Sequence, residues 1–92
     1  MNFVLYCVDK VGHGSVRTDN RPAHLDYLKS KLDRILLAGP MLGDDGATVL
    51  GSLLVIEADD RKAAEAFAAG DPYAKAGLFE SVTVKAFKKV LP

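Results

Sequence analysis

Apolar side chains fill both faces of the segment 2–8: Phe3, Leu5 and Cys7 point one way, Val4, Tyr6 and Val8 the other. A strand apolar on both faces suits the middle of a sheet covered from two sides. Asp9 to Asn20, with Gly12, His13, Gly14 and Ser15, breaks the pattern and reads as a loop. A helical period then runs from about Thr18 or Asn20 to Arg34. It sets Leu25, Leu28, Leu32 and Ile35 on one stripe and turns Asp26, Lys29, Asp33 and Arg34 away. Thr18, Asp19 and Asn20 are each suitable N-caps, and Pro22 belongs in a first turn.

Ile35 to Leu42 reads as a second strand, and Gly43-Asp44-Asp45-Gly46 as a hairpin turn leading into a third strand at 48–57. Leu53 and Val55 oppose Leu54 and Ile56, so this strand too is apolar on both faces. Asp59 or Asp60 caps a helix from Arg61 to Ala69, closed by Gly70. Asp71-Pro72 starts another short helical turn, with aspartate as N-cap and proline at the first helical position. A last strand runs from Leu78 to about Phe87, with polar Glu80, Ser81, Thr83 and Lys85. The order is strand, helix, strand, strand, helix, strand. Right-handed crossovers then give an α+β, ferredoxin-like four-stranded antiparallel sheet with its helices on one face. Two strands apolar on both sides predict that the bare face is covered by a second copy, a homodimer packed sheet to sheet.

Composition narrows the partners. Ninety-two residues make one domain, 1–92, and a chain this short has little surplus core, which again favours association. Twelve basic and twelve acidic side chains cancel, which argues against nucleic acid as the main partner. No apolar run approaches the ~18 residues of a membrane span. The apolar start has no basic lead-in and meets Asp9 too soon for a signal peptide, and the one cysteine, Cys7, cannot form an internal disulfide. These features predict a soluble cytoplasmic protein.

Candidate chemistry centres on Arg21-Pro22-Ala23-His24-Leu25-Asp26-Tyr27-Leu28. His24 falls at the edge of the apolar stripe and shares a sector with Arg21, so it borders the core where a side chain can reach a pocket. Gly12-His13-Gly14-Ser15-Val16-Arg17 lacks the third glycine of a dinucleotide fingerprint and no Gly-Lys-Ser/Thr follows, so it is not a phosphate loop. Two histidines and one cysteine have no metal-ligand spacing, and no metal or other cofactor is expected. Taken alone, His24 reads as bonded to a backbone carbonyl and Asp71 as a simple helix cap, with a chemical role for each left open.

The ordered set Arg21–Leu28, Ala38-Gly39-Pro40, Gly51–Glu57, Asp71-Pro72-Tyr73 and Ala76-Gly77-Leu78 resembles the YciI-like (YCII-related) family, dimeric α/β barrels of ferredoxin-like fold. The resemblance covers nearly the whole chain, and the chain departs from it in the glycine-containing loop at 11–15. It implies a catalytic His–Asp pair, His24 and Asp71, in a pocket between helices and sheet. Arg21, Tyr73, Ser52, Gly39 and Pro40 are then the expected substrate-binding positions. Imidazole, with an ordinary pKa near ~6.5, exchanges protons at cellular pH, and a carboxylate on its second nitrogen fixes the tautomer. The expected activity is cofactor-independent acid–base chemistry on a small polar acid or phenol, of isomerase, lyase or dehydrochlorinase type. The alternative is a non-catalytic metabolite-binding or interaction module of the same fold.

Overall fold

The computed structural model describes residues 1–92. Its elements are β1 (Asn2–Asp9), α1 (Gly14–Ser30), β2 (Ile35–Leu42), β3 (Val49–Glu57), α2 (Arg61–Gly70), α3 (Pro72–Lys75) and β4 (Phe79–Phe87). The four strands form one antiparallel sheet in the order β2-β3-β1-β4. The two strands apolar on both faces, β1 and β3, are the central pair, as their pattern requires. Phe3, Leu5 and Cys7 pair with Ile56, Leu54 and Ser52, and these residues face the helices. Ala64, Phe67 and Ala68 of α2, with Val84 of β4, close the core over them, and Tyr27 and Leu28 of α1 pack against its edge. Both long helices therefore cover the same face of the sheet, the ferredoxin-like arrangement.

The opposite face carries Val4, Tyr6 and Val8 beside Leu53, Val55 and Leu37. Tyr6 is 47% exposed and Leu37 53% exposed there. On β4 this face turns polar at Thr83 and Lys85.

The first helix departs from the expectation. It begins at Gly14, so most of the expected loop is helical, and Thr18, Asp19, Asn20 and Pro22 all lie in its interior. Thr18 Oγ1 and Asn20 Nδ2 donate back to the carbonyls of Gly14 and Val16, spending their capping potential inside the helix. The turn before it is made at Gly12 with φ +77°, a left-handed conformation suited to glycine. The helix also ends earlier, at Ser30. Leu32, placed on the apolar stripe by period, lies instead in a 3₁₀ turn, Leu32–Arg34, and is exposed.

Elsewhere local chemistry sets the boundaries. Asp45 closes the β2–β3 hairpin by accepting from the backbone N–H groups of Ala47 and Thr48 and from Thr48 Oγ1. These bonds pull its carboxyl down to about 2. Asp60 caps α2 through Ala63 N–H, and Asp71 caps α3 through Tyr73 N–H.

Of the glycines, Gly51 has the least room for a side chain. A Cβ there would lie 2.0 Å from the Cys7 carbonyl oxygen and 2.8 Å from Met41 Cε. Gly51→Ala must push β3 off β1, and denaturant titration is expected to show a loss of about 2–3 kcal/mol. An unchanged midpoint would mean that the two strands separate at no cost.

Candidate functional site

A cavity of about 470 Å³ lies between α1, the short helix α3 and the sheet. Helix α1 lines it with Arg17, Thr18, Arg21, His24, Leu25 and Leu28, β2 with Ala38, Gly39 and Pro40, β3 with Val49, Ser52 and Leu54, and α3 with Tyr73. Six of the seven residues singled out from sequence therefore share one cavity. The seventh, Asp71, stands behind His24.

His24 is the one buried residue of α1, at 8% exposure, so it sits deeper than the stripe-edge position predicted. The cause is α3, whose Tyr73 ring stacks on the imidazole at 3.9 Å between centroids and 13° between planes. His24 Nδ1 is 2.8 Å from Asp71 Oδ1. A buried carboxylate is an acceptor, so Nδ1 carries the proton and the lone pair of the neutral ring is on Nε2. Nε2 has no protein partner. The same Oδ1 accepts from Tyr73 N–H at 2.9 Å. Asp71, 3% exposed, is thus cap and imidazole acceptor through one atom. The two roles held open by the sequence are not alternatives.

Arg17 and Asp9 were not anticipated. Arg17 Nε and Nη2 each donate to the Asp9 carboxylate at 2.8 Å, and Nη2 also donates to Ser52 Oγ at 3.0 Å. Its guanidinium lies 4.6 Å from the centre of the Tyr73 ring. Burial works to lower the Arg17 pKa, but bonding and attraction to Asp9 outweigh it and the pKa is raised. With helix α1 begun at Gly14, residues 17, 21 and 24 fall at spacings of four and three, one helical face. That spacing was present in the sequence but was masked by the capping residues that followed it.

Arg17 and Arg21 are cationic, and the cavity lining contains no aspartate or glutamate. Both nearby carboxylates, Asp9 and Asp71, are tied to Arg17 and His24. The cavity therefore presents donors, cationic groups and one basic nitrogen to a ligand. Burial raises the Tyr73 hydroxyl against the lowering influence of Arg17 and Arg21, which keeps it protonated at neutral pH. Cys7 lies beneath the site. Burial first, then the charges of Asp71 and Asp9, push its thiol up to about 12, so it is no nucleophile at neutral pH. No group of three or more His, Cys, Asp or Glu side chains is brought together in a metal-binding arrangement. No helix is long and apolar enough to cross a membrane.

A profile of the YCII-related domain matches residues 1–88. The chain is 43% identical over 97 aligned positions to Protein YciI of Escherichia coli O6:H1, covering 98% of this chain and 99% of that protein. It is 35% identical over 97 positions, with the same coverage, to an uncharacterized protein of Haemophilus influenzae. Among solved structures it matches the 5-chloro-2-hydroxyhydroquinone dehydrochlorinase TftG of Burkholderia phenoliruptrix AC1100, in complex with 2,5-dihydroxybenzoquinone. The TM-score is 0.87 at 38% identity, over 96% of this chain and 94% of that one.

Proposed function

The chain belongs to the YCII-related domain family, and from that premise we propose that it is a small-molecule enzyme whose base is His24 Nε2. The observation that carries this reading is the buried His24–Asp71 bond at 2.8 Å, with the free ring nitrogen on a cavity of about 470 Å³, a volume ordinary for a small-molecule site. The substrate class is a small hydroxylated ring or acid with acidic oxygens, since the lining offers two arginines and no carboxylate. Support for the ring comes from the dehydrochlorinase TftG, which shares the fold and was solved with a dihydroxybenzoquinone.

The chemistry follows from one movable proton. Nε2 takes the proton of a ring hydroxyl, the oxygen electron pair becomes a carbonyl, and the same proton returns to a ring carbon. That step alone is an isomerisation. If the carbon bears a leaving group, loss of a second hydroxyl proton forms a second carbonyl, and the ring electrons expel the group as an anion. The net change is elimination of HX without oxidant or reductant. Asp71 holds the ring tautomer and faces the imidazolium while it exists. The test is turnover of chlorinated and unsubstituted hydroxyhydroquinones, followed by chloride release and by solvent-deuterium incorporation. Binding with neither signal would favour a non-catalytic binding module.

The same proposal includes a homodimer through the open sheet face. Its support is the set Val4, Tyr6, Leu37 and Leu53 on a face that no helix of this chain covers. Light scattering at about 10 μM, above the micromolar weak end for interfaces of standard size, is expected to give twice the chain mass. The mass of a single chain would contradict it.

A further inference from the structure

We propose that Tyr27 is a positioning residue for the His24–Asp71 pair: its hydroxyl takes the place of the Asp71 N–H at the end of α2, and so fixes where the Asp71 carboxylate stands. The inference rests on the proposed function, because it names what holds that pair in register. A helix running on through Asp71 would give the Asp71 N–H to the Phe67 carbonyl, four residues back. Here that N–H goes to the Ala68 carbonyl at 3.3 Å. The Phe67 carbonyl accepts instead from the Tyr27 hydroxyl at 2.8 Å. Asp71 is thereby released into an extended conformation, φ −62° and ψ 127°, from which it ends α2 and caps α3. Phe67 is buried, and a buried carbonyl without a donor costs about as much as a lost hydrogen bond. The Tyr27 bond is what makes the early stop stable.

Gly70 marks the same contact. The left-handed glycines are Gly12, Gly46 and Gly77, so the backbone makes no demand for glycine at position 70. Space does. A Cβ at Gly70 would lie 2.6 Å from Tyr27 Oη and 3.1 Å from its Cζ. The hydroxyl therefore passes over the residue just before Asp71. Tyr27 and His24 are three positions apart on α1 and share a face of that helix. Helix α1 thus meets the α2–α3 corner through two bonds of 2.8 Å, Tyr27 to the Phe67 carbonyl and His24 to Asp71 Oδ1. One bond would leave a pivot, whereas two set both separation and rotation. The Tyr27 ring is itself held, edge to face with Phe67 at 5.5 Å between centroids, with the Lys31 ammonium 5.3 Å from its centre. Burial first, and then the charge of Asp71, raise the Tyr27 pKa, so the hydroxyl remains a donor at neutral pH.

The His24 Nδ1–H proton reports the geometry, because a short bond to Asp71 moves it downfield and slows its exchange with water. Proton NMR resolved by ¹⁵N at pH 8 follows it in the wild type, Tyr27→Phe, Gly70→Ala, the Tyr27→Phe/Gly70→Ala double variant and Asp45→Ala. The last weakens the β2–β3 hairpin, where all the Asp45 bonds lie, and leaves the helices alone. Tyr27→Phe removes one hydrogen bond and is expected to move the signal upfield and speed its exchange about tenfold. Gly70→Ala, which drives the hydroxyl off the Phe67 carbonyl, is expected to match it. With the hydroxyl gone the nearest atom to the alanine is Cζ, at 3.1 Å, and a small shift of the ring makes room. The double variant is therefore expected to add less than about twofold. Asp45→Ala is expected to leave the signal in place. A signal unmoved by both single variants, additive effects in the double variant, or the same shift in Asp45→Ala would overturn the inference and leave the proposed function standing. A wild type whose His24 carries no proton on Nδ1 would overturn both.

Discussion

Asp71→Ala is expected to lower the unfolding free energy by about 2–4 kcal/mol, because it orphans two buried donors at once and removes a helix cap. Oδ1 of Asp71 accepts from both His24 Nδ1 and Tyr73 N–H, at 2.8 and 2.9 Å. Without it, α3 loses its start, and the Tyr73 ring loses the anchor that presses it on His24. Asparagine separates the effects. Its carbonyl oxygen can occupy the same place, and it cannot flip, because the Tyr73 N–H would then face an NH₂ group. Asp71→Asn is therefore expected to cost about 1 kcal/mol while preserving the His24 tautomer. It removes the negative charge beside the transient imidazolium, so turnover is expected to fall about 10²-fold with binding nearly unchanged. Urea titration and steady-state kinetics on the two variants read the two effects apart. Equal stability loss in both would mean that the cap oxygen is not the shared acceptor.

His24→Ala carries the second large effect. A positioned base typically contributes about 10²–10⁴-fold to rate, and that is the expected loss of turnover. The fold is expected to survive, since Asp71 keeps its cap bond from Tyr73 N–H when the imidazole is removed. Binding of an ionised ligand is expected to weaken far less than turnover, because Arg21 and Ser52 remain on the cavity wall. A variant that keeps wild-type turnover would remove His24 from the chemistry. One that cannot fold would make it a structural residue first.

The sheet was legible because hydrophobic pattern and burial state the same thing twice. Strands β1 and β3 are apolar on both faces and lie at the centre, and the Asp45 turn joins β2 to β3 by bonds its own side chain supplies. The pairing of His24 with Asp71 lies 47 residues apart in sequence and is not visible in any local pattern. It entered through family resemblance, and the geometry gives it a physical form. Arg17 was illegible for a different reason. The first turns of α1 have no side-chain cap at His13. They carry instead a tertiary tie, Arg17 to Asp9 and Ser52, that local propensity cannot register. The residues that look like caps, Thr18 to Asn20, therefore placed the start four to six residues too late. With the true start, Arg17, Arg21 and His24 become one face of one helix, and that face is the cavity wall.

The central claim is that Asp71 fixes the proton on Nδ1 of His24 and leaves Nε2 as a base facing the cavity. Long-range ¹H–¹⁵N NMR of the two imidazoles at pH 8 tests it most directly, with His24→Ala assigning the signals. The expected result is a protonated Nδ1 and a lone-pair Nε2 on His24, with the Nε2 resonance moving when 2,5-dihydroxybenzoquinone is added. An Nε2–H tautomer, or an Nε2 signal indifferent to ligand, would contradict it.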